Sequence, residues 1–329
     1  MRSNDKSKVW FLVLLLSILS VSLVAADPLM DYLQGRAKAG DPEAMFLMGR
    51  CFERGDRVAK DYRIAVNWYQ KAAEAGHSGA QNNLGSLTQM GRGIAQNDSA
   101  AVRLFLLAAQ QGNGFGAYNL ALCFEKGRGT RQDMSEAVRW FTEGADRQHL
   151  SSMIKLAGCY ENGTGVEKDI DAALSWYHRA AKAGSAATQM RLGSYYDKGI
   201  WVTPNQSEAV KYYRLAAEQG QASAQYNLGL KNSFGEGVEE DQTAASRWIL
   251  MAAQGGLKEA QELIAYRYLD GIGIPQSDGE AYFWLLIRSV DASVPMKSLR
   301  DKTEKKLSRA VVNQLQERAT DWYINSASR

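Results

Sequence analysis

The sequence Ser152-Met153-Ile154-Lys155 is the nearest approach to a catalytic motif in this chain. A serine followed three residues later by a lysine is the first motif of penicillin-recognising enzymes, in which the serine is the nucleophile. The accompanying S-D-N and K-T-G motifs are absent from the sequence. Ser152 also falls in a recurring column of small residues, which we expect to face a neighbouring helix. We therefore expect no catalytic serine and no enzymatic activity.

Histidine and cysteine are scarce, with three residues of each type. His77 and His149 stand at the start of predicted helices, where an acceptor side chain caps the helix, and His178 is alone on another helix. The cysteines share one column of a repeat: Cys51, Cys123 and Cys159. Equivalent positions of neighbouring helix pairs lie roughly 8–10 Å apart, beyond the ~7 Å that an unstrained disulfide spans. We expect buried thiols, with an exposed reactive thiol as the alternative, no metal site and no cofactor.

The composition is that of a folded, near-neutral protein. Apolar residues make up 45% of the 329 residues and charged residues 23%, which excludes a disordered chain. A net charge of +3 argues against a protein that binds nucleic acid by neutralising phosphates. Three cysteines in this length exclude a disulfide-dense scaffold.

Residues 1–26 have the form of a secretory signal peptide. Basic residues precede an apolar run from Val9 to Ala26, which ends in small residues suited to signal peptidase. We expect cleavage after Ala26 and a periplasmic or secreted protein with no membrane span once the signal is removed. An uncleaved membrane anchor is the alternative, since the 18 apolar-run residues are at the lower limit for a span. The mature chain carries a net charge of +1, which indicates neither an anionic partner nor a membrane surface.

A period of 36 residues organises the chain from Gly40 to Asp291. One column is always glycine: Gly55, Gly91, Gly127, Gly163, Gly199, Gly235 and Gly271. A second column is always alanine: Ala65, Ala101, Ala137, Ala173, Ala209, Ala245 and Ala281. Such columns do not arise by chance, so the sequence contains consecutive repeats without insertions. The seven predicted repeats are 40–75, 76–111, 112–147, 148–183, 184–219, 220–255 and 256–291.

The pattern within each repeat predicts two helices joined by a short turn. In the first repeat Asp41 is a good N-cap, Pro42 suits the first helical position, and Gly55 suits the left-handed residue after the last turn. The second helix follows a column of N-cap residues: Asp61, Asn97, Asp133, Asp169, Asn205, Asp241 and Ser277. The sequence therefore predicts seven helix hairpins.

Two apolar columns predict the core of these hairpins. The first helices contribute Met48, Leu84, Leu120, Leu156, Leu192, Leu228 and Ile264. The second helices contribute Trp68, Leu104, Trp140, Trp176, Tyr212, Trp248 and Trp284. A single hairpin cannot bury both side chains, whereas a stacked neighbour can. The pattern therefore predicts an all-α solenoid of helix pairs.

These columns resemble the Sel1-like repeat, a relative of the tetratricopeptide repeat. The shared pattern begins A-x3-L-G-x5-G-x-G-[VI]-x2-[DN], and the second repeat carries it at Ala80, Leu84, Gly85, Gly91, Gly93, Ile94, Asn97, Ala101, Ala108 and Ala109. The resemblance covers about three-quarters of the chain. It implies a right-handed α/α superhelix and an adaptor role, often in bacterial envelopes or in host interaction.

The resemblance implies a monomeric, non-enzymatic scaffold of the bacterial cell envelope that binds a peptide or protein segment in its concave groove. No nucleic acid is expected as a partner. The alternative is a cell-wall-directed hydrolase or a β-lactam-binding protein, because some Sel1-like proteins have been linked to β-lactam binding. Only the serine–lysine match and the predicted compartment favour this alternative.

The segments that flank the repeats are interpreted as caps. Residues 27–39 lead into the first repeat, and residues 292–329 contain two further helices, Met296–Leu307 and Ser308–Ile324. The stretch from Arg300 to Lys306 is too polar for an internal repeat. We expect 292–329 to cover the last apolar face, with a docking tail as the alternative.

A row of polar residues on the first helices predicts partner binding. It occupies the position before the core column: Asn83, Asn119, Lys155, Arg191 and Asn227. Tetratricopeptide relatives hold extended peptides with such residues, and amides bond a peptide backbone both as donors and as acceptors. Lys155 and Arg191 have the chemistry to hold a carboxylate. The alternative is that the asparagines support the helix or the adjoining loop.

Trp201 lies outside the signal segment, the core column and the terminal helix. It stands in a turn where other repeats have glycine: Gly93, Gly129, Gly165, Gly237 and Gly273. We expect Trp201 to be partly exposed and to anchor the partner at an interface. The alternative is a plug, in which Trp201 folds over the neighbouring turn and fills a local gap.

Overall fold

The computed structural model describes residues 27–288 and 294–327, and within these ranges the chain is helical, without a β-strand. The predicted signal peptide, residues 1–26, lies outside the described residues, as do residues 289–291 of the last predicted repeat. None of the described helices is long and apolar enough to cross a membrane.

Seventeen helices are described, numbered in chain order. The first, α1, spans Pro28–Lys38. The first (A) helices of the repeats are α2 (Pro42–Arg54), α4 (Ser78–Met90), α6 (Gly114–Lys126), α8 (Leu150–Asn162), α10 (Ala186–Lys198), α12 (Ala222–Phe234) and α14 (Lys258–Asp270). The second (B) helices are α3 (Tyr62–Glu74), α5 (Asp98–Gln110), α7 (Met134–Asp146), α9 (Ile170–Lys182), α11 (Gln206–Glu218), α13 (Gln242–Gln254) and α15 (Asp278–Arg288). The last two are α16 (Val294–Glu304) and α17 (Arg309–Ala327).

The helices form two compact units. The first unit contains the described residues up to Leu156, together with Thr164–Glu167. The second contains Ala157–Gly163 and the described residues from Lys168 onward. In each unit an A helix packs against the B helix of its own repeat, and that B helix packs against the next A helix. The predicted solenoid of seven helix hairpins is thereby confirmed.

Recurring hydrogen bonds fix the ends of the helices. Helix α4 ends at Gly91, whose φ of 67° is left-handed and whose N–H donates to the carbonyl of Leu87. Helix α5 begins after Asn97, whose side chain accepts from the N–H of Ala100 and whose own N–H donates to the carbonyl of Thr88. The bond from the N-cap back to the A helix recurs in every repeat, for example from Asp241 to Asn232. This bond fixes the number of residues in the turn, which explains why the period has no insertions.

The alanine and leucine columns form the predicted core. All seven alanines of the alanine column are fully buried. The seven apolar residues of the A-helix column are buried as well, from Met48 to Ile264. These two columns allow the helix backbones to approach closely.

The tryptophan column packs against the core as predicted, but it is not the deepest column of the B helices. Most of its members are only half-buried, and Trp68, for example, carries the ammonium group of Lys71 at 4.7 Å from its ring centre. The deepest B-helix column is the next residue along the chain: Tyr69, Phe105, Phe141, Tyr177, Tyr213, Ile249 and Leu285. The reason lies on the A helix, where a small residue follows the core leucine and leaves room for a ring.

The small residue after the core leucine is required by this packing. A Cβ atom built on Gly85 would lie 2.7 Å from the ring of Phe105, and one built on Gly193 would lie 2.5 Å from the ring of Tyr213. Real Cβ atoms do not make such contacts, so the glycine and the ring fit together as a pair. The glycine of the leucine–glycine dipeptide therefore leaves the space that the B-helix side chain fills.

A second glycine lets successive repeats meet at their turns. A Cβ atom built on Gly129 would lie 2.3 Å from the carbonyl oxygen of Asp98, and one built on Gly237 would lie 2.3 Å from that of Gln206. In both cases the carbonyl belongs to the first residue of the preceding B helix. The turn of one repeat thus packs directly on the backbone of the previous repeat.

Additional helices cover the two ends of the array. Leu33 of α1 is buried against Met48 of α2, and the Asp27 carboxylate accepts from the N–H of Leu29 and pairs with Arg57 at 2.8 Å. At the other end Met296 of α16 and the α17 residues Val312, Leu315 and Ala319 are buried in the cluster formed by α14 and α15. Both ends of the apolar core are therefore covered by helices.

The turn packing predicts different costs for two alanine substitutions. Gly237 and Gly220 both have positive φ, 72° and 85°, but nothing lies within 4 Å of a Cβ atom built on Gly220. Both variants bear the left-handed strain of about 1–2 kcal/mol, whereas only Gly237→Ala must also displace the turn. We expect Gly220→Ala to lower the free energy of unfolding by about 1 kcal/mol and Gly237→Ala by about 3 kcal/mol, measured by urea denaturation. Equal losses in the two variants would contradict this packing.

Candidate functional site

The polar row is the set of A-helix residues Asn83, Asn119, Lys155, Arg191 and Asn227. The first three lie in the first unit and the last two in the second unit. The fold places each of them directly before the buried apolar residue of its A helix. Each row side chain contacts a residue of the preceding repeat.

In the first unit the asparagines form a continuous hydrogen-bonded chain. Asn119 Nδ2 donates to Asn82 Oδ1 at 2.8 Å, and Asn82 Nδ2 donates to Asn83 Oδ1 at 3.1 Å. Asn83 Nδ2 then donates to the hydroxyl of Tyr69 at 3.1 Å, and that hydroxyl donates to Glu53 Oε2 at 2.5 Å. Burial and the neighbouring Glu53 carboxylate raise the pKa of the Tyr69 hydroxyl, which remains a proton donor. The predicted supporting role of the asparagines is therefore present in this unit.

Lys155 completes the row of the first unit through an ion pair. Its Nζ lies 2.9 and 3.0 Å from the two carboxylate oxygens of Glu125, thirty residues earlier. It also lies 5.9 Å from the ring centre of Phe141. The Lys155 side chain is 39% exposed, so it is accessible from solvent while it is paired.

In the second unit Arg191 takes part in a cluster of rings and one carboxylate. Its Nη1 donates to Glu161 Oε2 at 3.0 Å and to the hydroxyl of Tyr177 at 2.7 Å. The Tyr177 hydroxyl also donates to Glu161, and the Tyr195 hydroxyl donates to the other oxygen of that carboxylate at 3.2 Å. Three donors therefore converge on Glu161, and the guanidinium group lies on the solvent side with a side chain that is 47% exposed.

Asn227 is the last member of the row. Its Nδ2 lies 3.8 Å from the sulfur of Met190, which is a weak acceptor. Asn227 also forms a side-chain hydrogen bond with Tyr213 of the preceding repeat, as Asn83 does with Tyr69. Every member of the row is therefore bonded to the preceding repeat.

The acidic residues near this row were not predicted from the sequence. They form a second A-helix column, six residues after the row position: Glu53, Glu125, Glu161 and Asp197. Glu53, Glu161 and Asp197 each accept from the tyrosine of the buried B-helix column. The signal in the sequence is an acidic residue thirty positions before a row residue, with a tyrosine sixteen positions after the acid.

A buried lysine was also missed. Lys231 occupies the repeat position of the cysteines, and its Nζ donates to Asp197 at 2.5 Å, to Gln206 Oε1 at 2.6 Å and to Glu236 at 2.7 Å. Burial opposes the charge, but the hydrogen bonds to Asp197 and Glu236 raise the pKa of Lys231 above its usual value. Because its three donors are satisfied by protein groups, Lys231 stabilises the turn instead of offering a site to a ligand.

Trp201 has a left-handed backbone, with φ at 60°. Its side chain is 42% exposed, and its ring meets the ring of Tyr195 edge-on at 5.2 Å between centres. The glycines at the equivalent turns explain the conformation, because this position requires positive φ in every repeat. Trp201 therefore bears a backbone strain that its neighbours avoid, and half of its ring covers Tyr195 while the other half faces solvent.

The serine–lysine motif is not arranged as a catalytic pair. Ser152 is fully buried, and a Cβ atom built on Gly144 would lie 2.4 Å from its Oγ, so the hydroxyl faces α7. The Oγ lies 2.9 Å from Nδ1 of His149, whereas Lys155 pairs with Glu125. The expectation that Ser152 faces a neighbouring helix is confirmed.

The predicted capping role of two histidines is confirmed by their hydrogen bonds. His77 Nδ1 accepts from the N–H of Ala80 at 3.1 Å. His149 Nδ1 accepts from the N–H of Ser152 at 3.3 Å, in the way that the Asn113 side chain accepts from Gly116 one repeat earlier. Both rings therefore serve the start of an A helix.

The cysteine prediction is confirmed for two of the three residues. Cys123 and Cys159 are buried, Cys51 is partly exposed, and none of the three is in a disulfide. Burial raises the pKa of the Cys51 and Cys123 thiols. A raised thiol pKa lowers the thiolate fraction and hence the reactivity of these two residues.

The His149 cap predicts a pH dependence of stability. Burial lowers the pKa of His149, so protonation is disfavoured in the folded state and the stability is lost as the pH falls through the unfolded pKa of about 6.5. Protonation also removes the Nδ1 acceptor. We expect His149→Asn, which keeps a capping acceptor, to reduce the loss of unfolding free energy between neutral and mildly acid pH. The measurement is urea denaturation at each pH, and an unchanged pH dependence would contradict the cap.

Comparison with known families agrees with this geometry. The Sel1 repeat model matches residues 42–77, 78–113, 115–149, 150–185, 186–221, 222–257 and 258–287. A Sel1 repeat protein from Oxalobacter formigenes is similar, with a TM-score of 0.64 and 25% identity over 83% of this chain and 79% of that one. The protective antigen c5321 of uropathogenic Escherichia coli matches with a TM-score of 0.41 and 24% identity over 89% of this chain and 86% of that one. No curated protein matches the chain. Since the matched segments span most of its length, the chain belongs to the Sel1 repeat family.

Proposed function

We propose that this protein is a non-enzymatic scaffold that binds an extended protein segment through polar-row residues of its A helices, with Arg191 and Asn227 of the second unit as the principal contacts. Proteins built from Sel1 repeats are generally protein-interaction scaffolds, and the fold is typically non-catalytic. The observation that carries the proposal is the partial exposure of the row, whose members bond the preceding repeat and still present polar atoms to solvent. The family supplies the general role, and the row supplies the surface.

The row retains capacity for a ligand in the second unit. The guanidinium of Arg191 has five N–H donors and a side chain that is 47% exposed, so it can bond a peptide carbonyl or a carboxylate in addition to its protein partners. The carboxamide of Asn227 has both donor and acceptor atoms, as a peptide backbone requires. These two side chains stand on consecutive A helices, as a strand-like ligand requires.

The tightly bonded asparagines of the first unit have a different part in the proposal. Asn119 is the donor that satisfies Asn82, whose side chain is buried. Its loss would leave a buried acceptor without a partner, at a cost of about 1–3 kcal/mol. A substitution at Asn119 therefore mixes a stability effect with a binding effect, and Arg191 and Asn227 are the cleaner test positions.

We also propose that the protein acts outside the cytoplasm, in the bacterial envelope or beyond it. The support is the basic and apolar pattern of residues 1–26 and the small residues before Asp27. Asp27 is itself the N-cap of α1, so cleavage after Ala26 leaves every described helix intact.

The alternative of a cell-wall hydrolase has no support from the site. Its nucleophile would be Ser152, which is fully buried against Gly144 and bonds His149, whereas Lys155 pairs with Glu125. The scaffold proposal is therefore the one that the geometry favours.

The binding surface is tested with a phage-displayed library of random peptides. An enriched peptide is synthesised and its dissociation constant measured by fluorescence anisotropy. We expect the double variant Arg191→Ala, Asn227→Ala to weaken binding at least about tenfold with an unchanged helical circular dichroism spectrum. The control is Arg214→Ala, Gln254→Ala, which removes the same chemical groups from exposed B-helix positions. Equal affinity of both variants, or no enrichment by the wild type, would refute the proposed surface.

The same peptide tests whether Trp201 is an anchor or a plug. The variant Trp201→Gly restores the residue that the left-handed turn favours and removes the ring. An anchor predicts severalfold weaker binding with a melting temperature that does not fall. Trp201→Ala keeps the strain and removes the ring, so it separates the two contributions. A fall in melting temperature with unchanged binding would identify a plug.

The compartment is tested by mass spectrometry of the protein from its native host. We expect the mature N-terminus to be Asp27, in a fraction outside the cytoplasm. An intact Met1 in the soluble cytoplasmic fraction would overturn the proposed export.

A further inference from the structure

Basic residues are in excess in the C-terminal part of the chain, although the net charge of the whole chain is small. Residues 292–329 contain eight lysines and arginines against four acids, whereas residues 27–291 contain 28 against 31. Most of the excess lies in the segment that joins the last two helices. We name residues 294–312, which comprise α16, the following turn and the start of α17, the C-terminal elbow. Six basic and two acidic residues lie in it.

The acids of the elbow are already engaged. Asp301 pairs with Arg300 at 2.6 Å, and Glu304 accepts from the hydroxyl of Tyr282 at 3.0 Å. One further cation, Lys306, pairs with Asp278 of α15 at 2.9 Å. Arg300 neutralises Asp301, whereas the partner of Glu304 is a neutral hydroxyl and its negative charge remains, so six basic residues against two acids leave the elbow with a positive excess.

Four basic side chains remain exposed: Lys297, Lys302, Lys305 and Arg309. Within the described part of the chain none of them is in an ion pair. Helix α16 turns Met296, Leu299 and Thr303 toward the core, which leaves the lysines on its outer side. The four cations are thus distributed along the elbow, on α16, in the turn and at the start of α17, and each is exposed to solvent.

The C-terminal elbow also has a cavity and an exposed apolar side chain. A cavity of about 400 Å³ opens at the turn and is lined by Asp301, Glu304, Lys305, Leu307, Arg309 and Val312. Val311, next to it in the chain, is 37% exposed. The lining holds two basic side chains, Lys305 and Arg309, beside two acids and two apolar residues, so these two cations are the groups that a phosphate headgroup can meet there.

We propose that the C-terminal elbow binds the anionic headgroups of a phospholipid membrane. Four clustered basic residues are the number at which a segment gains useful affinity for an anionic bilayer, since each contributes roughly a fivefold gain near the surface. Exposed Val311 and half-buried Leu307 supply a shallow apolar contact at the interface. The segment 294–312 has no aromatic residue, so it offers no stacking platform to the bases of a nucleic acid. The interaction places the end of the repeats at a membrane surface.

The test is co-sedimentation of the full chain with lipid vesicles. One set contains equal amounts of phosphatidylglycerol and phosphatidylcholine, and the other contains phosphatidylcholine alone. We expect partition into the anionic vesicles to exceed that into the neutral vesicles more than about tenfold and to fall with added sodium chloride. The variant Lys297→Gln, Lys302→Gln, Lys305→Gln, Arg309→Gln is expected to lose most of this preference. Residues 1–26 are the same in every variant, so any contribution they make is common to all.

A matched control removes four exposed cations elsewhere: Arg63→Gln, Arg131→Gln, Lys168→Gln and Lys182→Gln. We expect it to keep the anionic preference within about twofold, which separates a located site from an effect of total charge. Equal losses in the control and the elbow variant would overturn the proposal. Displacement by inorganic phosphate at constant ionic strength would instead indicate a small-anion site and would also overturn it. Thermal melting of both variants confirms that each is folded.

Discussion

Each repeat depends on the fit of one large B-helix side chain into the space beside a small A-helix residue. At Gly49 and Gly193 a Cβ atom would approach a tyrosine ring to 2.6 and 2.5 Å, so the ring and the missing methyl group define the distance between the helices. The alanine column brings the backbones together at the same level, fully buried in all repeats. Because this fit recurs every 36 residues, each hairpin has the same register, and within each unit the same sequence positions reach the surface of successive hairpins.

The polar row is a consequence of that register. The buried ring of Tyr69 or Tyr177 is long enough for its hydroxyl to emerge at the edge of the core, between a carboxylate of its own repeat and a donor of the next. Where the column has phenylalanine, as at Phe141, the carboxylate and donor pair directly, as Glu125 and Lys155 do. The polar row therefore links each A helix to the preceding repeat, and the side chains of Lys155 and Arg191 remain partly exposed.

Backbone constraints were predictable from the sequence, and polar pairings were not. The glycines, the Asx caps and the alanines recur because each has one residue type that fits, and their columns predicted the helices and turns closely. The row residues were named but not their partners, because the acid thirty residues earlier pairs directly with Lys155 and Arg191, whereas Asn83 reaches Glu53 through the Tyr69 hydroxyl. The tryptophan column was predicted as core, but the fully buried column beside it was not, since apolar periodicity alone does not show which of two adjacent large residues faces the small A-helix residue. The overall charge likewise concealed the basic elbow, because the acids are concentrated in the repeats.

Trp201 has a consequence for the coupling between neighbouring repeats. In a repeat protein, cooperativity depends on the coupling between neighbours, and here much of that coupling passes through a turn glycine packed on the first carbonyl of the preceding B helix. At 201 a tryptophan stands in place of that glycine, while Val202 packs against its neighbouring cluster in the way that Ile94 and Val238 do at glycine turns. The coupling at this turn therefore keeps its side-chain part but lacks the glycine that Gly165 and Gly237 supply in the repeats on either side.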